Sequence, residues 1–304
     1  MAGNGSIEDT VTVLGCGMMG SALALALVDA GIRVVAWNRT AGKLEPLIER
    51  GVTGVPSASD AVTASSLVIA CLTSYDDALE VLDRDTTPGD WPGRALINLA
   101  TGTPQDAERL QRWAVDRGAS YLDGTIQAYP QDIGKPESVV VYSGSADVWA
   151  RHEPTLCTLA GASSYVSTDV VAANVVDVAV IGAFYTIALG AFVEAAAYAD
   201  ACGVGVDGLL DSADRAIELL RRSVHEGATA IASRRYETDQ ATLGIYAEAS
   251  RSFLKAMTDA GQRASLMDAQ LSNLERAEAA GHGALGLFAL FDTTAATSGA
   301  AESR

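Results

Sequence analysis

A glycine-rich turn, Gly15-Cys16-Gly17-Met18-Met19-Gly20, constrains the fold of this chain more than any other segment. It directly follows the β-branched run 10–14 and opens the apolar helical stretch 21–31. Glycines in such a turn let the backbone bend tightly and approach a pyrophosphate, whose charge meets the amides at the helix N-terminus. An ordinary glycine turn has the same spacing, but strand, turn and helix in this order predict a dinucleotide-binding βαβ unit. We therefore assign to a cofactor site Gly15, Gly17, Met18, Met19 and Gly20.

Short β-branched runs alternate with amphipathic helical stretches over the first half of the chain. This rhythm is typical of βαβ units and predicts a doubly wound parallel sheet of the Rossmann type. We expect strands within 10–15, 32–37, 66–72, 94–100, 119–126, 138–145 and 163–168, and helices within 21–30, 43–50, 76–82, 104–117 and 147–159.

No strand signal follows Thr168, so the domain boundary is predicted at that residue. The α/β fold then has a Rossmann-type dinucleotide-binding domain at 1–168 and an all-α domain for dimerisation and substrate binding at 169–304. Four glycines are expected to divide the second domain into helices, namely Gly203, Gly227, Gly244 and Gly261.

The segment 171–199 has few polar side chains and would form an interdomain helix about 43 Å long at 1.5 Å per residue. We expect such a helix to be buried nearly all round. Its uninterrupted apolar part, 178–193, has 16 residues and falls short of the roughly 20 that span a bilayer. The pattern therefore predicts a helix covered by a second subunit, and not a membrane span.

Charge and cysteine usage exclude several classes of partner. The chain has 21 basic and 38 acidic residues, and its net charge of −17 repels nucleic acid and anionic lipid. The four cysteines are scattered and lack a CxxC pair, so we expect a reducing compartment and no metal site. Residues 1–10 lack the pattern of a signal peptide, which predicts a cytoplasmic protein, and both ends, 1–10 and 293–304, are predicted to be tails.

The end of the second predicted strand indicates which dinucleotide binds. An NAD enzyme normally carries an acidic residue there for the ribose 2′-hydroxyl, but this chain has Trp37-Asn38-Arg39-Thr40. Arg39, supported by Asn38, Thr40 and Lys43, instead offers hydrogen-bond donors to a 2′-phosphate. A solvated turn is the alternative, and NADPH is the predicted cofactor.

Two further strand ends lie at the edge where ligands of a parallel sheet bind. They contribute Leu72, Thr73 and Ser74 after one strand, and Asn98 and Thr101 after the next. Thr101 is either a turn hydroxyl or a site residue. Thr103 precedes a proline and is predicted to be a helix N-cap.

Asp177 is unusual because it is a carboxylate at the start of an apolar helix, where its charged form is costly without a partner, a cation or water. Tyr185 lies eight residues later, about 12 Å along and 80° around a regular helix. The two residues could flank a small substrate, or Asp177 could reach solvent while Tyr185 packs. The three histidines have no ligand or acid–base spacing, and neither GxSxG nor HExxH occurs.

Several segments resemble the NADPH-dependent imine reductases and reductive aminases, a family related to the β-hydroxyacid dehydrogenases. The resemblance covers nearly the whole chain in order. The glycine turn is common to many families, whereas its combination with Asp177 and the stretch 240–243 is more specific. The matching segments are 14–20, Trp37-Asn38-Arg39-Thr40, 98–104, Tyr121-Leu122-Asp123-Gly124, Ala128-Tyr129-Pro130, Tyr142-Ser143-Gly144 and Asp239-Gln240-Ala241-Thr242-Leu243.

The resemblance implies reduction of cyclic imines or iminium ions to amines, with weak reductive amination as a further option. In the hydroxyacid relatives a catalytic Lys takes the place of Asp177, and its absence argues against alcohol chemistry. The Asp subgroup tends to give (R)-amines and often has a Tyr at the position of Tyr185. Reductive aminases place Asn where this chain has Thr101. The resemblance therefore implies a catalytic set of Asp177, Tyr185 and Thr101, and a substrate pocket that includes Tyr129, Gln240 and Leu243.

Members of this family are homodimers that exchange helical domains like that of 6-phosphogluconate dehydrogenase. A carboxylate beside the nicotinamide also suits a cationic iminium, which it can stabilise or protonate. Two other functions stay open. One is a β-hydroxyacid dehydrogenase-like oxidoreductase in which Thr101 and water replace the Lys, and the other is a non-catalytic NADPH-binding protein.

Overall fold

The computed structural model describes residues 10–294, so the predicted tails lie outside it except for Thr10, Thr293 and Thr294. By its internal contacts the chain divides into two compact units, Met1–Phe184 and Tyr185–Arg304. The first unit carries the β-sheet, and the described part of the second is built from helices. The division falls inside the long apolar helix, and the predicted domain limits 1–168 and 169–304 stay a prediction.

Eight strands form one mostly parallel sheet in the first unit, which confirms the predicted α/β fold. From β3 to β6 the neighbours are parallel, in the order β3-β2-β1-β4-β5-β6-β7-β8, whereas β7 is antiparallel to β6 and parallel to β8. The short strand β3 was not predicted. The strands are Thr10–Leu14 (β1), Arg33–Trp37 (β2), Thr53–Gly54 (β3), Leu67–Ala70 (β4), Ala95–Asn98 (β5), Ser120–Ile126 (β6), Val140–Gly144 (β7) and Ser164–Ser167 (β8).

The carboxyl ends of the central strands meet at one edge of the sheet. Leu14 of β1 pairs with Trp37 of β2 and with Ala70 of β4. Across the next strands, Ala70 is in register with Asn98, and Asn98 with Asp123. The strand order reverses at β1, and ligands of such sheets bind outside the carboxyl ends at this point.

Helices cover both faces of the sheet and bury its apolar side chains in two clusters. One cluster packs Leu23 and Leu27 against the sheet, and the other packs Leu82 and Leu110 on the opposite face. These helices are Met18–Asp29 (α1), Glu45–Ile48 (α2), Ala58–Thr63 (α3), Tyr75–Asp85 (α4), Pro104–Asp116 (α5) and Ala146–Leu156 (α6). Helix α3 was not predicted. Thr103 caps α5, as predicted, and it also exchanges hydrogen bonds with Asp106.

The long apolar helix is not regular. It consists of α7 (Ala172–Asp177), a π-helical segment (Val178–Thr186) and α8 (Ile187–Ala201). In the single chain it is partly exposed, since Phe184 is 46% and Val193 65% exposed, and its burial by a second subunit stays a prediction. By length and composition the stretch Ala172–Ala201 is apolar enough to cross a membrane, a test that core helices of soluble proteins also pass. Residues 10–294 thus leave a large apolar surface of this helix exposed, of the kind that marks an interaction site.

The second unit has its own small core, which includes Tyr236, Leu243 and Leu274. Gly227 does not divide two helices as predicted but lies inside the helix Val206–Ser233. A β-carbon at Gly227 would fall 2.3 Å from the ring of Phe288, so the glycine allows close packing. Besides α8, the helices of this unit are Val206–Ser233 (α9), Leu243–Asp259 (α10), Ser265–Ala279 (α11) and Phe291–Thr294 (α12), with a 3-10 turn at Leu287–Leu290.

Candidate active site

The glycine turn between β1 and α1 is shaped by two close approaches. Gly15 has a φ of +92°, and its amide donates to the carbonyl of Trp37 at 2.9 Å. A β-carbon on Gly20 would lie 1.8 Å from the carbonyl oxygen of Gly15. Neither position tolerates a side chain, because one requires a positive φ and the other a contact of helix on turn. The turn therefore holds the start of α1 directly above the end of β1.

The start of α1 is open to an anion. Gly17 is the N-cap, no side chain caps the helix, and its first turn contains no acidic residue. A β-carbon on Gly17 would meet no atom within 4 Å, and Met18 is 85% exposed. Unpaired amides at a helix N-terminus attract phosphate, so the turn fits a pyrophosphate. Met19 instead packs against the core beneath.

Asn38 holds this turn in place. Its Oδ1 accepts a hydrogen bond from the amide of Cys16 at 2.9 Å, and its Nδ2 donates to the carbonyl of Thr40 at 2.9 Å. The prediction gave the Asn38 side chain to the cofactor phosphate. The structure instead uses it to join the end of β2 to the glycine turn, which leaves one amide hydrogen for a ligand.

A cleft of about 160 Å³ opens beside the turn and gathers most of the predicted cofactor residues. Among residues 10–294, the side chains of Arg39 and Lys43 have no hydrogen-bond or ionic partner, so both cations are available to a ligand. Four lining residues were not predicted: Trp37 and Cys71 directly precede predicted residues in the sequence, and Asp77 and Val81 lie on α4. The predicted residues that line the cleft are Gly15, Gly17, Asn38, Arg39, Thr40, Lys43, Leu72 and Thr73.

Two predicted cofactor residues have other contacts in the structure. Ser74 caps α4, where its Oγ accepts from the amide of Asp77 at 3.1 Å and donates to the Asp77 carboxylate at 2.9 Å. Asn98 is fully buried, and its amide faces Asp123 instead of the cleft. The sequence places both at the correct sheet edge but does not show which way their side chains point.

A buried group of polar side chains lies behind this edge, and sequence reasoning missed it. We call it the Asp123 cluster; it contains Tyr75, Asn98, Tyr121, Asp123 and Asn174. The Asp123 carboxylate is fully buried and accepts hydrogen bonds from Tyr75 at 2.8 Å, Tyr121 at 2.6 Å and Asn174 at 2.5 Å. Burial raises the pKa of Asp123 to about 6, although these hydrogen bonds lower it in part. Burial and the nearby carboxylate also raise the pKa of Tyr75 and of Tyr121, so both phenols stay protonated donors.

The three predicted catalytic residues are all at least partly exposed. Asp177 is the last residue of α7 and is half-buried, and Thr101 is exposed just beyond β5. Tyr185 is 39% exposed. The predicted angle of about 80° between Asp177 and Tyr185 assumed a regular α-helix. It is corrected here because the π-helical segment Val178–Thr186 separates the two residues and changes the rotation per residue.

The three predicted pocket residues have different environments. Tyr129 is 55% exposed in the loop after β6. Gln240 is exposed and lines a cavity of about 260 Å³ in the second unit, together with Arg235, Asp239 and Tyr246. Leu243 is instead fully buried in the core of that unit, where its amide donates to the carbonyl of Leu285 at 2.7 Å.

Comparison with known proteins agrees with this geometry. Residues 10–175 match the NAD-binding domain of 6-phosphogluconate dehydrogenase, and residues 169–296 match the C-terminal domain of NADPH-dependent reductive aminase-like proteins. Together with the doubly wound sheet and the cleft beside the glycine turn, these matches define a dinucleotide-binding oxidoreductase. A solved imine reductase from Pseudomonas sp. is 32% identical, with a TM-score of 0.89 over 95% of this chain and 100% of that chain. The chain belongs to the family of imine reductases and reductive aminases, which confirms the resemblance noted in the sequence.

Two further relatives come from the reductive aminase branch of the family. The NADPH-dependent reductive aminase of Aspergillus oryzae is 29% identical over 293 residues, which are 93% of this chain and 96% of that protein. The reductive aminase of Aspergillus terreus, solved with NADPH4, cyclohexanone and allyl amine, is 30% identical with a TM-score of 0.87. That match covers 95% of this chain and 100% of the other.

Proposed function

We propose that this chain reduces C=N bonds of imines and iminium ions to amines with NADPH. The observation that carries the proposal is the cleft at the glycine turn of an NAD-binding domain, in a chain whose second part matches the C-terminal domain of reductive aminase-like proteins. NADPH supplies the hydride when it is bound. The protein's own residues bind and orient the reactants and handle charge and proton at the substrate nitrogen.

The cleft supports NADPH over NADH. Arg39 and Lys43 bring two positive charges to the end of β2, where no acidic residue stands to accept from a ribose 2′-hydroxyl. Arg39 is suited to a phosphate because its planar guanidinium offers several donors in a fixed fork. Gly17 and the amides of the first turn of α1 would hold the pyrophosphate.

Asp177 is the group that we assign to the substrate nitrogen. A carboxylate stabilises a cationic C=N group, and in its acid form it can donate a proton to that nitrogen. A Lys at this position would repel the same cation. The Asp177 carboxylate has no hydrogen-bond or ionic partner among residues 10–294, which leaves its oxygens available to a substrate. Tyr185 on the same helix is its proposed helper.

The finer features of the reaction are also proposals. The Asp at this position supports (R)-type reduction, and Thr101 in place of the Asn of reductive aminases supports only weak condensation of ketone with amine. The exposed apolar face of the long helix supports a homodimer with exchanged helical domains, in which a second chain covers Phe184, Leu189 and Val193. We place this dimer in the cytoplasm, on the composition of the sequence alone.

Consumption of NADPH with different substrates tests the proposal. We expect turnover with a cyclic imine such as 1-pyrroline or a dihydroisoquinoline, and none with 3-hydroxyisobutyrate and NADP⁺. Oxidation of the hydroxyacid would indicate a β-hydroxyacid dehydrogenase-like enzyme instead. Tight binding of NADPH without turnover of either substrate would indicate a non-catalytic binding protein.

The Asp177→Asn variant tests the role of the carboxylate. It keeps the volume and removes the charge, so turnover of imines should fall about 10²- to 10³-fold. Affinity for NADPH, measured by fluorescence titration, should barely change because the cleft is intact. Asp200→Asn is the matched control, since Asp200 is an exposed carboxylate near the end of the same helix. Wild-type turnover of Asp177→Asn would show that the carboxylate is structural.

A further inference from the structure

The Asp123 cluster joins the sheet to the first turn of α7, the helix that ends at Asp177. We propose that Asp123 and Asn174 are positioning residues for Asp177: they fix the rotation and height of α7 and thereby the place of the Asp177 carboxylate. This inference rests on the proposed role of Asp177 in imine reduction.

Asn174 is held by both hydrogens of its side-chain amide. Its Nδ2 donates to the Asp123 carboxylate at 2.5 Å and to the hydroxyl of Tyr75 at 3.0 Å. The Tyr75 hydroxyl in turn donates to Asp123 at 2.8 Å, which closes a triangle of hydrogen bonds. Asn174 is only 3% exposed, so water cannot replace these partners. The side chain is therefore confined to one direction, and the helix turn that carries it cannot rotate freely.

A second attachment on the neighbouring strand fixes the same turn. Ser143 of β7 lies opposite Asp123 in the sheet. Its Oγ accepts from the amide of Ala173 at 2.9 Å and donates to the carbonyl of Val170 at 2.8 Å. Two adjacent strands thus hold consecutive residues of α7 by buried polar contacts, which defines both its height above the sheet and its rotation.

The contacts of Asn174 also constrain Asp177, which is the last residue of α7. The two residues are three apart in an α-helix, so they are neighbours on one face, about 4.5 Å apart along the axis. The π-helical segment begins at Val178, immediately after Asp177. Among residues 10–294 the Asp177 carboxylate has no hydrogen bond or ion pair, so its position follows from that of α7, which the tie at Asn174 holds.

Stability alone does not account for a buried carboxylate at this place. The polar groups that contact Asp123 are Tyr121 on its own strand, Tyr75 on α4, Asn98 on β5 and Asn174 on α7, and none of them is a cation. Apolar side chains of similar volume often stabilise an interior as well as such a group, whereas directional bonds select one geometry. The cluster is therefore suited to holding α7 in register.

A double-mutant cycle tests the inference. Asn174→Leu removes the tie and should lower kcat about 10-fold or more, since a displacement of about 1 Å can cost as much as 10²-fold. The dissociation constant of NADPH should change less than about two-fold, because the cleft is untouched. In the double variant with Asp177→Asn, the rate should be no lower than in Asp177→Asn alone. Ser65→Ala is the matched control, since it removes buried hydrogen bonds to Thr12 and Leu67 that do not involve α7, and it should keep the wild-type kcat.

Amide hydrogen exchange provides a readout that does not depend on activity. Peptides covering residues 172–177 should exchange faster in Asn174→Leu than in the wild type, and Ser65→Ala should leave them unchanged. Tyr75→Phe, which keeps the ring and removes one partner of Asn174, should show an intermediate increase and serves if Asn174→Leu does not fold.

The outcomes separate the two proposals. Losses that multiply in the double variant, a wild-type kcat in Asn174→Leu, or unchanged exchange at 172–177 would overturn the positioning role while leaving imine reduction in place. If the wild type reduces no imine, the proposed function fails, and the exchange measurement still decides whether Asn174 holds α7.

Discussion

At the scale of single residues, we expect Arg39 to carry the preference for NADPH. Arg39→Ala should raise the dissociation constant of NADPH about 10- to 100-fold, because a hydrogen bond to a charged group contributes about 1.5 to 3 kcal/mol. Affinity for NADH should change little, since NADH has no 2′-phosphate. Fluorescence titration with both cofactors measures the two effects.

Arg50→Ala is the control for the change in overall charge. Arg50 is exposed, pairs with Asp29 at 3.0 Å and does not line the cleft. An equal loss of NADPH affinity in both variants would show that Arg39 acts through the general field of the protein and not through a contact with the phosphate.

Because of Asp123, we expect the free energy of unfolding to decrease as the pH rises. Most carboxylates have a lowered pKa in the folded state and give the opposite dependence. Its pKa is raised from 3.8 to about 6 in the folded chain, chiefly by burial. The folded state therefore binds the proton more tightly than the unfolded state, so the stability from this group is complete below pH 3.8 and is lost as the pH rises through about 6. Urea unfolding should show the wild type gaining stability relative to Asp123→Asn as the pH falls through this window. A constant difference between the two proteins would contradict the raised pKa.

At the scale of elements, α9 contains two glycines with opposite roles. A β-carbon on Gly227 would fall 2.3 Å from the ring of Phe288, so Gly227→Ala should destabilise the protein by about 1 to 3 kcal/mol. Gly208 is exposed in the first turn and has only Val204 nearby, at 3.4 Å from the β-carbon position. Gly208→Ala should stabilise by up to about 1 kcal/mol, because alanine favours a helix. The two variants should therefore shift the urea midpoint in opposite directions, and equal shifts would contradict the packing at Gly227.

The long helix shows why an element can be predicted while its geometry is not. An apolar run from 171 to 199 predicts a helix, and the structure has a helix there. Its middle is π-helical, a rare form that is frequent at functional sites, and it separates Asp177 from Tyr185. Composition does not distinguish one helical hydrogen-bond pattern from another, because the apolar side chains suit both.

At the scale of the whole molecule, the exposed apolar helix predicts a stable homodimer. Light scattering should give twice the chain mass of 31.4 kDa at micromolar concentration. Leu189 is 47% exposed on this helix, and Leu189→Glu should give monomers, because burying a charge in an apolar interface is costly. An obligate interface buries at least about 2,000 Å². A wild-type mass of one chain would contradict the exchange of helical domains.

The sequence by itself determined the class of fold and the edge of the parallel sheet at which the cofactor binds. These features depend on short-range signals: the glycine turn at 15–20, the alternation of strands and helices, and the absence of an acidic residue near Arg39. Each signal is read within a few residues, since a turn, a cap or a strand ending is set by local backbone and side-chain chemistry. For the same reason the cap at Thr103 was predicted correctly.

Only the tertiary structure decided which side chains face inward. It brings Asn174 to Tyr75, 99 residues away, and to Asp123, 51 residues away, and it encloses Leu243 and Asn98 that were expected at a ligand. It also places Gly227 against Phe288. Such contacts depend on how elements distant in sequence pack together, and the local pattern of apolar and polar residues does not contain this information. In the sequence Asp123 is one polar residue in a strand, whereas in the structure it is the buried centre of a polar cluster.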